Sequence, residues 1–360
     1  MDETSQNPDP NSELELSIIL PARNEEQSLL ACLASLVSQS EPGFFALSEQ
    51  WEIIIVNDDS TDRTREIAES VAASHPGITV LDAPLLDLSD RGGFTGKNNA
   101  CWAGAQIARG RRLLFTDADT VHEPHDLSHS LHEAEKHKAA LLSYSPRQIV
   151  TGFWQHAVMP LVFSELASVY PTKEVNDPER RLAAANGQFI LVDRNAYFSV
   201  GGHRAIGTKV LEDVALAHNI KRGPRIIRFR YAPEALSARM YRSTAEMLEG
   251  WTKNLALLFP QPIALALWRI LDVLLFLGLP ALALGLPWLA NWQRYVILLL
   301  WVRTLWRFYS RVARSNFPAH DIAISIAGVP LFVYLLIRSV IQHRIKRSVD
   351  WKGRSYRSTH

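Results

Sequence analysis

Short apolar runs alternate with segments of helical spacing from about residue 15 to residue 255 of this chain. A helix between two strands usually makes a crossover connection, which leaves those strands parallel within one sheet. The run at residues 52–56 is almost continuous in isoleucine and valine, as expected for a strand covered on both faces. We therefore predict an α/β domain with a mainly parallel sheet. Its candidate strands are residues 16–20, 52–56, 78–81, 112–116, 140–143, 188–192 and 226–231.

Two aspartates, Asp117 and Asp119, come directly after the fourth of these runs, with one small residue between them. Alternate side chains of a strand lie on the same face, so the two carboxylates are expected to point the same way. Carboxylate oxygens suit Mg²⁺ or Mn²⁺, which also bind water and substrate phosphates. An isolated pair of this kind is more often a loop aspartate that caps the next helix. The metal-site interpretation therefore depends on the residues at the ends of the other strands.

Polar residues also come after the first two candidate strands. Each has a simpler explanation, because Asn24 is expected to cap the next helix, Ser60 could cap another, and Asp62 could be a favourable charge in a first helical turn. In a mainly parallel sheet, however, ligands bind at the carboxyl ends of the strands. Three polar clusters at these ends together predict an acidic binding site. The residues are Arg23, Asn24 and Glu25 after the first strand and Asn57 and Asp58 after the second.

Composition narrows the possible partners. A formal net charge of +1 with 21% charged residues gives no overall attraction to nucleic acid, so no nucleic-acid partner is expected. Residues 1–14 are polar and acidic, which predicts a disordered tail and not a signal peptide. The two cysteines, Cys32 and Cys101, both fall in predicted helices. A disulfide framework is therefore not expected, and a reducing compartment suits the soluble part.

The last third of the chain is much more apolar than the rest. Residues 273–290 and 322–337 are uncharged runs of about the length that crosses a bilayer. A soluble helical domain with an apolar core is the alternative, but both runs lack the polar face of an amphipathic helix. We therefore predict a membrane region of two to three apolar helices at residues 259–342.

Several motifs, in order along the chain, resemble those of family-2 glycosyltransferases, which have the glycosyltransferase-A fold, a Rossmann-like domain. The match runs from residue 16 to about residue 254. One departure is Asn57 in place of an aspartate, which leaves Asp58 as the better candidate for the donor nucleotide. The motifs are residues 19–26 (similar to P-x-x-N-E), 56–64 (V-D-D-x-S-x-D-x-T), 96–100 (G-K-x-x-A), 117–119 (the metal-binding D-x-D) and 211–216 (the E-D motif).

The resemblance implies a nucleotide-sugar site with a Mg²⁺ or Mn²⁺ cofactor. Asp117 and Asp119 would hold the metal ion. Asp213 would be the general base, and Glu212 would orient it or bind the acceptor. The alternative for this pair is two favourable charges at a helix N-terminus. The candidate residues for nucleotide-sugar binding are Pro21, Arg23, Asn24, Glu25, Asn57, Asp58, Lys97, Asp117, Arg239 and Arg242.

Two physical arguments bear on these candidates. Adjacent carboxylates disfavour joint ionisation, which could raise the pKa of Glu212 or Asp213 toward neutral pH. Arg239 or Arg242 could contact a diphosphate through charge-assisted hydrogen bonds. Ser243 with Glu246 fits a capping box, so part of this segment is expected to begin a helix.

Within the family, residues 185–191, 201–203 and 351–356 are most similar to branches that glycosylate lipids, such as hopanoid- and carotenoid-associated enzymes. We therefore expect an inverting, metal-dependent transfer of a sugar, in the simplest case from a UDP-sugar, to a hydroxyl or carboxyl of a lipid-type acceptor. A sugar nucleotidyltransferase is one alternative, although residues 21–24 lack its glycine-rich phosphate loop. A catalytically silent membrane scaffold is another, although Asp117, Asp119 and Asp213 are all present.

The expected organisation is a tail at residues 1–14, a catalytic domain at 15–258, the membrane region at 259–342 and a basic tail at 343–360. Nucleotide sugars and the basic tail both suit the cytosolic side, which predicts a multi-pass cell-membrane protein with its catalytic domain facing the cytoplasm. Two full spans are expected within residues 271–290 and 320–341. Residues 295–309 would then form a re-entrant or interfacial helix.

Overall fold

The computed structural model describes residues 14–39, 47, 49–86, 94–346, 348–351 and 354–357. The tail predicted at residues 1–14 lies almost entirely outside this set, as does part of the predicted basic tail. Contacts divide the chain into two compact units. The first is Met1–Ile149 with Thr172–Met240, and the second is Val150–Pro171 with Tyr241–His360.

Strands and helices alternate through most of the described chain. The strands are β1 (Leu14–Ala22), β2 (Trp51–Asn57), β3 (Ile78–Asp82), β4 (Gly110–Thr116), β5 (Thr120–His122), β6 (Ala139–Ser145), β7 (Arg147–Gln148), β8 (Phe189–Asp193), β9 (Ile226–Tyr231), β10 (Leu236–Ala238), β11 (Ser348–Trp351) and β12 (Arg354–Arg357). The helices are α1 (Leu29–Val37), α2 (Thr64–Ser74), α3 (Gly96–Ile107), α4 (Asp126–Lys136), α5 (Phe153–Val169), α6 (Thr172–Val175), α7 (Arg194–Ser199), α8 (Gly202–Ala205), α9 (Glu212–Lys221), α10 (Thr244–Leu258), α11 (Pro262–Gly285), α12 (Asn291–Val312) and α13 (Ala319–Ile341). A 3₁₀ turn spans Ala313–Ser315 and a π-helical turn spans Gln342–Lys346.

One seven-stranded sheet forms the centre of the first unit, in the order β3-β2-β1-β4-β8-β6-β9. The pairs β3–β2, β2–β1, β1–β4 and β6–β9 are parallel, and β8 runs antiparallel to both β4 and β6. Its strands coincide with the seven apolar runs. The predicted α/β class with a mainly parallel sheet is therefore confirmed.

The core of the first unit lies on both faces of this sheet. Every residue of β2 is buried, as its continuous apolar run predicted. Leu29 and Leu33 of α1 are fully buried in the same cluster as Ile53 and Ile55, and each such side chain stabilises the fold by roughly 1.5–3 kcal/mol. On α3, a Cβ at Gly104 would lie 2.6 Å from Ile19 Cγ2, so glycine permits this helix to lie against β1.

A second, three-stranded sheet in the order β5-β10-β7 was not predicted. Its strands have only two or three residues, which is too short for a period to be recognised in a sequence. The β5–β10 pairing is antiparallel and places Ala238 opposite Thr120. The backbone N–H of Arg239 then donates to the carbonyl oxygen of Asp119 at 3.1 Å. This sheet therefore fixes the end of the segment that carries Asp117 and Asp119.

The prediction that Asn24 caps the first helix is wrong. The helix α1 begins at Leu29, with Ser28 as its N-cap residue. Asn24 instead adopts a left-handed backbone conformation (φ 53°), and its Oδ1 accepts from the backbone N–H of Thr61 at 2.9 Å. The side chain holds two loops together, a long-range contact that local capping rules do not include.

The start of α2 also differs in detail from the capping roles expected of Ser60 and Asp62. The helix begins at Thr64, so Ser60 lies before it and does not cap it. Asp62 Oδ1 accepts from the backbone N–H of Thr64 at 3.0 Å, and Asp62 Oδ2 accepts from that of Glu26 at 3.1 Å. These bonds lower the pKa of Asp62, although partial burial opposes them. Asp62 therefore connects the first helical turn to the loop after β1.

The second unit consists of α5 and the helices from α10 onward, with the β11–β12 hairpin. Two of its helices, Pro262–Gly285 and Ala319–Arg344, are long and apolar enough to cross a membrane by length and composition. The first starts and ends earlier than the span expected within residues 271–290, and Pro280 lies inside the helix. Between the two lies α12, which extends beyond the expected residues 295–309 at both ends. As predicted, Ser243 caps α10, since its Oγ accepts from the N–H of Glu246.

Buried charged groups connect the helices of the second unit. Arg269 Nη1 lies 2.7 Å from Asp272 Oδ2 within α11, and Arg311 Nη2 of α12 lies 3.2 Å from the same oxygen. Arg311 Nε also lies 3.4 Å from Glu165 Oε1 of α5. A charge in an apolar interior is costly without a partner, so these mutual pairs favour one arrangement of the three helices.

Candidate active site

A cavity lies at the carboxyl ends of β1 and β4 in the first unit. Its lining includes Pro21 from β1, Thr116 and Asp117 from the end of β4, Lys97 from α3 and Glu212 from α9. This is the edge of the sheet at which ligands of such folds bind. The sheet therefore brings together residues that lie far apart in the sequence, on four different motifs.

The ammonium group of Lys97 connects two of these motifs. Lys97 Nζ lies 2.7 Å from Asp117 Oδ1 and 2.9 Å from Glu212 Oε1. Burial disfavours its charge, but the two carboxylates outweigh burial and hold the pKa of Lys97 well above its ordinary value. Burial raises the pKa of Asp117, and Lys97 opposes that shift. The lysine is therefore a permanent cation between the two acidic elements.

The start of α3 positions Lys97. Thr95 caps the helix, and its side chain accepts from the backbone N–H of Asn98 at 3.3 Å. The buried amide of Asn98 donates to three carbonyl oxygens, those of Ile206 (3.1 Å), Gly207 (2.8 Å) and Lys209 (3.1 Å). These bonds fasten the first turn of α3 to the segment after α8, so the lysine projects from a rigid base.

Asp213 comes directly after Glu212 in the first turn of α9. Its Oδ2 accepts from the backbone N–H of Gly187 at 3.0 Å, and its Oδ1 accepts from that of Val214 at 2.8 Å. Burial and the adjacent Glu212 carboxylate raise the pKa of Asp213 to about 7, although Lys97 and the two N–H groups oppose the shift. A carboxylate with this pKa can accept a proton near neutral pH.

Gly187 permits the close approach of these groups. A Cβ at this position would lie 2.9 Å from Lys97 Nζ and 3.3 Å from Glu212 Oε1. Any larger residue would therefore force the ammonium and the carboxylates apart. The segment before β8 supplies both this space and the N–H that holds Asp213.

The two aspartates of the D-x-D motif lie in the turn between β4 and β5, beyond the strand itself. Asp117 and Asp119 are half-buried, and Ala118 between them is buried. The carboxylates offer the hard oxygen donors that Mg²⁺ and Mn²⁺ prefer. Asp117 is already paired with Lys97, so a cation would share this carboxylate with the ammonium or displace it. The donor set thus fits a divalent cation.

A buried hydrogen-bond network supports this turn from behind. His122 Nδ1 lies 2.6 Å from Asp126 Oδ2, and both side chains are fully buried. His122 Nε2 lies 3.1 Å from Thr116 Oγ1 and 3.2 Å from Thr120 Oγ1. The Thr120 hydroxyl donates to the carbonyl of Asp117 at 2.7 Å. The histidine therefore connects the aspartate-bearing turn to α4.

The loops after β1 and β2 contact each other. Arg23 Nη1 donates to the carbonyl oxygens of Asp58 (2.6 Å) and Asp59 (2.9 Å). Asn57 Nδ2 donates to Asp82 Oδ1 at 2.8 Å, and Glu25 Oε2 accepts from the hydroxyl of Ser28 at 2.6 Å. Asp58 is 5% exposed. The structure thus places these predicted donor-binding residues at one edge, with Arg23, Asn24, Glu25 and Asn57 engaged in protein contacts.

The two predicted arginines lie in different units. Arg239 comes directly after β10 in the first unit, where its backbone contacts Asp119. Arg242 belongs to the second unit, and its backbone N–H donates to Glu246 Oε2 at 2.7 Å. A contact of either guanidinium with a diphosphate remains a prediction.

Sequence reasoning did not assign a role to some residues that line the cavity. His203 and Cys101 both contribute to its wall. Burial lowers the pKa of His203 to about 3, so its imidazole is neutral, and its Nδ1 lies 2.8 Å from the hydroxyl of Tyr197. The glycine pair before His203 was a possible signal, since Gly202 adopts φ 49° and a Cβ there would collide with the Tyr197 ring.

Comparison with known proteins identifies the family of this chain. The model of the family described as glycosyl transferase family 2 matches residues 17–204. Two relatives are 4,4'-diaponeurosporenoate glycosyltransferases, from Staphylococcus aureus (strain USA300) and Staphylococcus haemolyticus (strain JCSC1435). Each is 28% identical, over 352 and 353 residues respectively, covering 95% of this chain and 88% of the relative.

A solved structure shares the fold. The mannosyltransferase from Pyrobaculum calidifontis, in complex with GDP-mannose and Mn²⁺, aligns with a TM-score of 0.53 and 16% identity. The alignment covers 94% of this chain and 90% of that one, and it supports the glycosyltransferase-A fold expected from the motifs. Since the family model spans more than half of the chain, including most of β1, all of β2 to β4 and the turn with Asp117 and Asp119, this chain belongs to glycosyl transferase family 2 and is a glycosyltransferase.

Proposed function

We propose that the protein transfers a sugar from a nucleotide-sugar donor, in the simplest case a UDP-sugar, to a hydroxyl or carboxyl of a lipid-type acceptor, with inversion at the anomeric carbon. The observation that carries this proposal is the ion-paired group of Asp117, Lys97 and Glu212, with Asp213 next to Glu212 on α9. It brings a carboxylate suited to metal binding and a carboxylate suited to proton transfer to one site.

The proposed donor site uses the edge formed by the first two loops and the D-x-D turn. A divalent cation bound by Asp117 and Asp119 would neutralise charge on the leaving diphosphate. Lys97 is a permanent positive charge beside the same carboxylate, where it would also neutralise charge on the diphosphate. Asp58 lies at the end of β2, where it can bind the nucleoside part of the donor.

The proposed base is Asp213. Single displacement at the anomeric carbon needs a group that takes the proton from the acceptor as the bond forms. The backbone N–H groups of Gly187 and Val214 fix the carboxylate, and its pKa of about 7 lets it accept a proton near neutral pH. Glu212 keeps Lys97 in place and raises the basicity of its neighbour.

A lipid-type acceptor is supported by the relatives and by the apolar helices. The relatives are named for transfer to 4,4'-diaponeurosporenoate, which is a carboxylate. A carboxyl acceptor therefore agrees with these names as well as a hydroxyl acceptor does. Large apolar side chains of α11 are highly exposed, for example Leu277 at 71% and Leu284 at 78%. Exposed apolar surface of this extent suits a bilayer better than water.

The transfer assay tests the reaction. Purified protein in detergent is incubated with a panel of radiolabelled UDP-sugars, GDP-mannose and a membrane lipid extract. We expect label to enter the lipid phase with one of the UDP-sugars and only with Mg²⁺ or Mn²⁺ present. Label incorporated equally by the Asp213→Asn variant would contradict the proposed base. The appearance of a new nucleotide-sugar in place of a lipid product would favour the nucleotidyltransferase alternative.

We further propose an even number of membrane crossings, the first by α11, with the first unit and the C-terminal end in the cytosol. Single cysteines test this in sealed cells, because the native Cys32 and Cys101 are buried. Lys173→Cys and Ser358→Cys should be protected from an impermeant reagent, whereas Asn291→Cys, which follows α11 at the start of α12, should be labelled. External labelling at Ser358 with protection at Lys173 would establish an odd number of crossings.

A further inference from the structure

Two histidines and one aspartate of the second unit converge on a single point. His156 lies in the first turn of α5, and His320 and Asp321 lie in the first turn of α13. His156 Nδ1 is 2.5 Å from Asp321 Oδ1, and His320 Nε2 is 2.9 Å from the same oxygen. The three ligand atoms all lie within 4.8 Å of one another. None of these residues lines the cavity described above.

The burial of the carboxylate makes this arrangement unusual. Asp321 is 1% exposed, and a buried carboxylate is costly unless positive charge or several hydrogen bonds compensate it. The partners that the structure places against it are both imidazoles. Imidazole nitrogens and a carboxylate oxygen are together the ligand set that Zn²⁺ and similar first-row transition metal ions prefer.

We propose that His156, His320 and Asp321 bind a transition metal ion of the Zn²⁺ class, with a fourth position open to water. This ion is distinct from the Mg²⁺ or Mn²⁺ proposed at Asp117 and Asp119, because that set contains oxygen donors and this one contains two nitrogens. The proposal is independent of the transfer reaction.

Small movements bring the three groups to metal-binding distances. With bonds of roughly 2.0–2.1 Å, ligand atoms of a tetrahedral site are about 3.3–3.4 Å apart. The distance between His156 Nδ1 and Asp321 Oδ1 therefore has to increase by less than about 1 Å when a metal ion binds. The His320 side chain is 65% exposed, so it can rotate without repacking the core.

Helix packing holds the two elements of the site together before any metal binds. A Cβ at Gly328 of α13 would lie 2.3 Å from the carbonyl oxygen of Ala157, the neighbour of His156. The backbone N–H of Asp321 donates to the carbonyl of Pro318 at 3.0 Å, which fixes the first turn of α13. The metal ion would thus connect two helices that already touch.

Metal binding must displace protons. Each imidazole nitrogen that faces Asp321 has to present its lone pair, so the proton shared with the carboxylate moves to the other ring nitrogen or to water. Binding should therefore weaken as the pH falls. A simple hydrogen-bonded histidine pair needs no metal ion at any pH. Metal binding that depends on pH therefore distinguishes the proposed site from such a pair.

The test uses the full-length protein in detergent after chelation and removal of the chelator. Zn²⁺ is titrated in excess Mg²⁺, which occupies the oxygen site, against a chromophoric chelator. Co²⁺ is titrated separately, because nitrogen-ligated tetrahedral Co²⁺ absorbs visible light strongly. The primary variant is His320→Asn, which is exposed and leaves the fold intact, and His156→Asn is the second. His129→Asn is the matched control, since His125 and His129 are also adjacent, with ring centroids 5.9 Å apart.

We expect the wild type and His129→Asn to bind one Zn²⁺, to show the Co²⁺ bands and to melt at a higher temperature with Zn²⁺. Both site variants should lose the Co²⁺ bands and bind Zn²⁺ at least about 100-fold more weakly, since loss of even an outer-shell partner weakens a metal site roughly 10–100-fold. The proposal is overturned if the wild type competes with the chromophoric chelator for Zn²⁺ no better than His320→Asn does. The cluster is then a hydrogen-bonded group alone.

Discussion

The two units of this protein differ in where their buried charged groups lie. In the first unit, Lys97, Asp117 and Glu212 gather beside a cavity and remain partly accessible to a ligand. In the second unit, Arg269 and Asp272 pair with each other inside an apolar helix, with side chains 10% and 3% exposed. The large apolar side chains are distributed in the opposite way. Those of β2 in the first unit are buried, whereas several of α11 and α12 in the second unit are exposed.

In the proposed function, the charged groups beside the cavity take part in the chemistry, whereas those of the second unit hold helices together. A cluster beside a cavity can exchange one partner for a ligand, so its members can be replaced with little change in folding. An ion-pair network enclosed between helices does not bind a ligand. Removal of one of its members leaves another charge without a partner. Substitutions in the two units should therefore change different measured quantities, activity in one and stability in the other.

The largest effect is expected at Asp119. The Asp119→Ala variant should lose at least about 10³-fold in kcat/KM, because a catalytic metal ion supplies several kcal/mol of charge stabilisation. Chelation should abolish the wild-type activity, and Mn²⁺ or Mg²⁺ should restore it. The thermal unfolding temperature should change little, since the side chain is half-buried at a turn. Full turnover by Asp119→Ala in excess chelator would end the metal hypothesis.

The second prediction concerns Asp213. The Asp213→Asn variant should reduce kcat by roughly 10²–10⁴, the usual contribution of general base catalysis, and leave UDP affinity nearly unchanged. Asp58→Ala should instead weaken UDP binding first. Identical kinetic profiles for the two variants would show that the proposed division between base and donor contact is wrong.

The pH dependence of Asp213 has a definite sign. Because its pKa is raised to about 7, wild-type kcat/KM should fall as the pH drops below about 7, where the carboxylate becomes protonated. The folded state binds this proton more tightly than the unfolded state, so the contribution of Asp213 to stability is lost as the pH rises through about 7. The stability of Asp213→Asn relative to wild type should therefore be greater at pH 8 than at pH 5, as measured by thermal unfolding.

The fourth prediction concerns the closed network of the second unit. Arg269→Met should lower the stability of the detergent-solubilised protein by about 3 kcal/mol, the lower end expected when one partner of a buried pair is removed, since Asp272 keeps Arg311. The specific activity of the remaining folded enzyme should be unchanged. Arg307→Ala is the matched control, because Arg307 contacts the same carboxylate at 3.4 Å but is 56% exposed. Equal loss of stability in both variants would argue against burial as the cause.

The smallest effect is expected at His122, which is buried but lies behind the site. The His122→Asn variant should shift the Mn²⁺ concentration for half-maximal activity upward by roughly 10–100-fold, as for outer-shell partners of metal sites. The exposed His132 of α4 is the control, and His132→Asn should behave as wild type. A fall in stability with an unchanged Mn²⁺ requirement would make His122 a core residue only.

The central sheet of the first unit was predictable because each of its strands is long and apolar enough to be recognised. The runs at residues 52–56 and 112–116 became β2 and β4 with only small changes in their ends. The short sheet of β5, β7 and β10 was not predictable, because a strand of two or three residues has no detectable period in the sequence. Asn24 was misassigned for a related reason, since its partner Thr61 is 37 positions away.

The sequence by itself determined the family motifs, the α/β alternation and the two apolar helices, because these depend on residue type and on local spacing. Only the tertiary structure decided that Lys97 lies between Asp117 and Glu212, that Gly187 supplies the N–H for Asp213, and that His156 meets Asp321. These contacts join residues 20 to more than 160 positions apart. Their formation depends on how helices and strands pack, which no local pattern specifies.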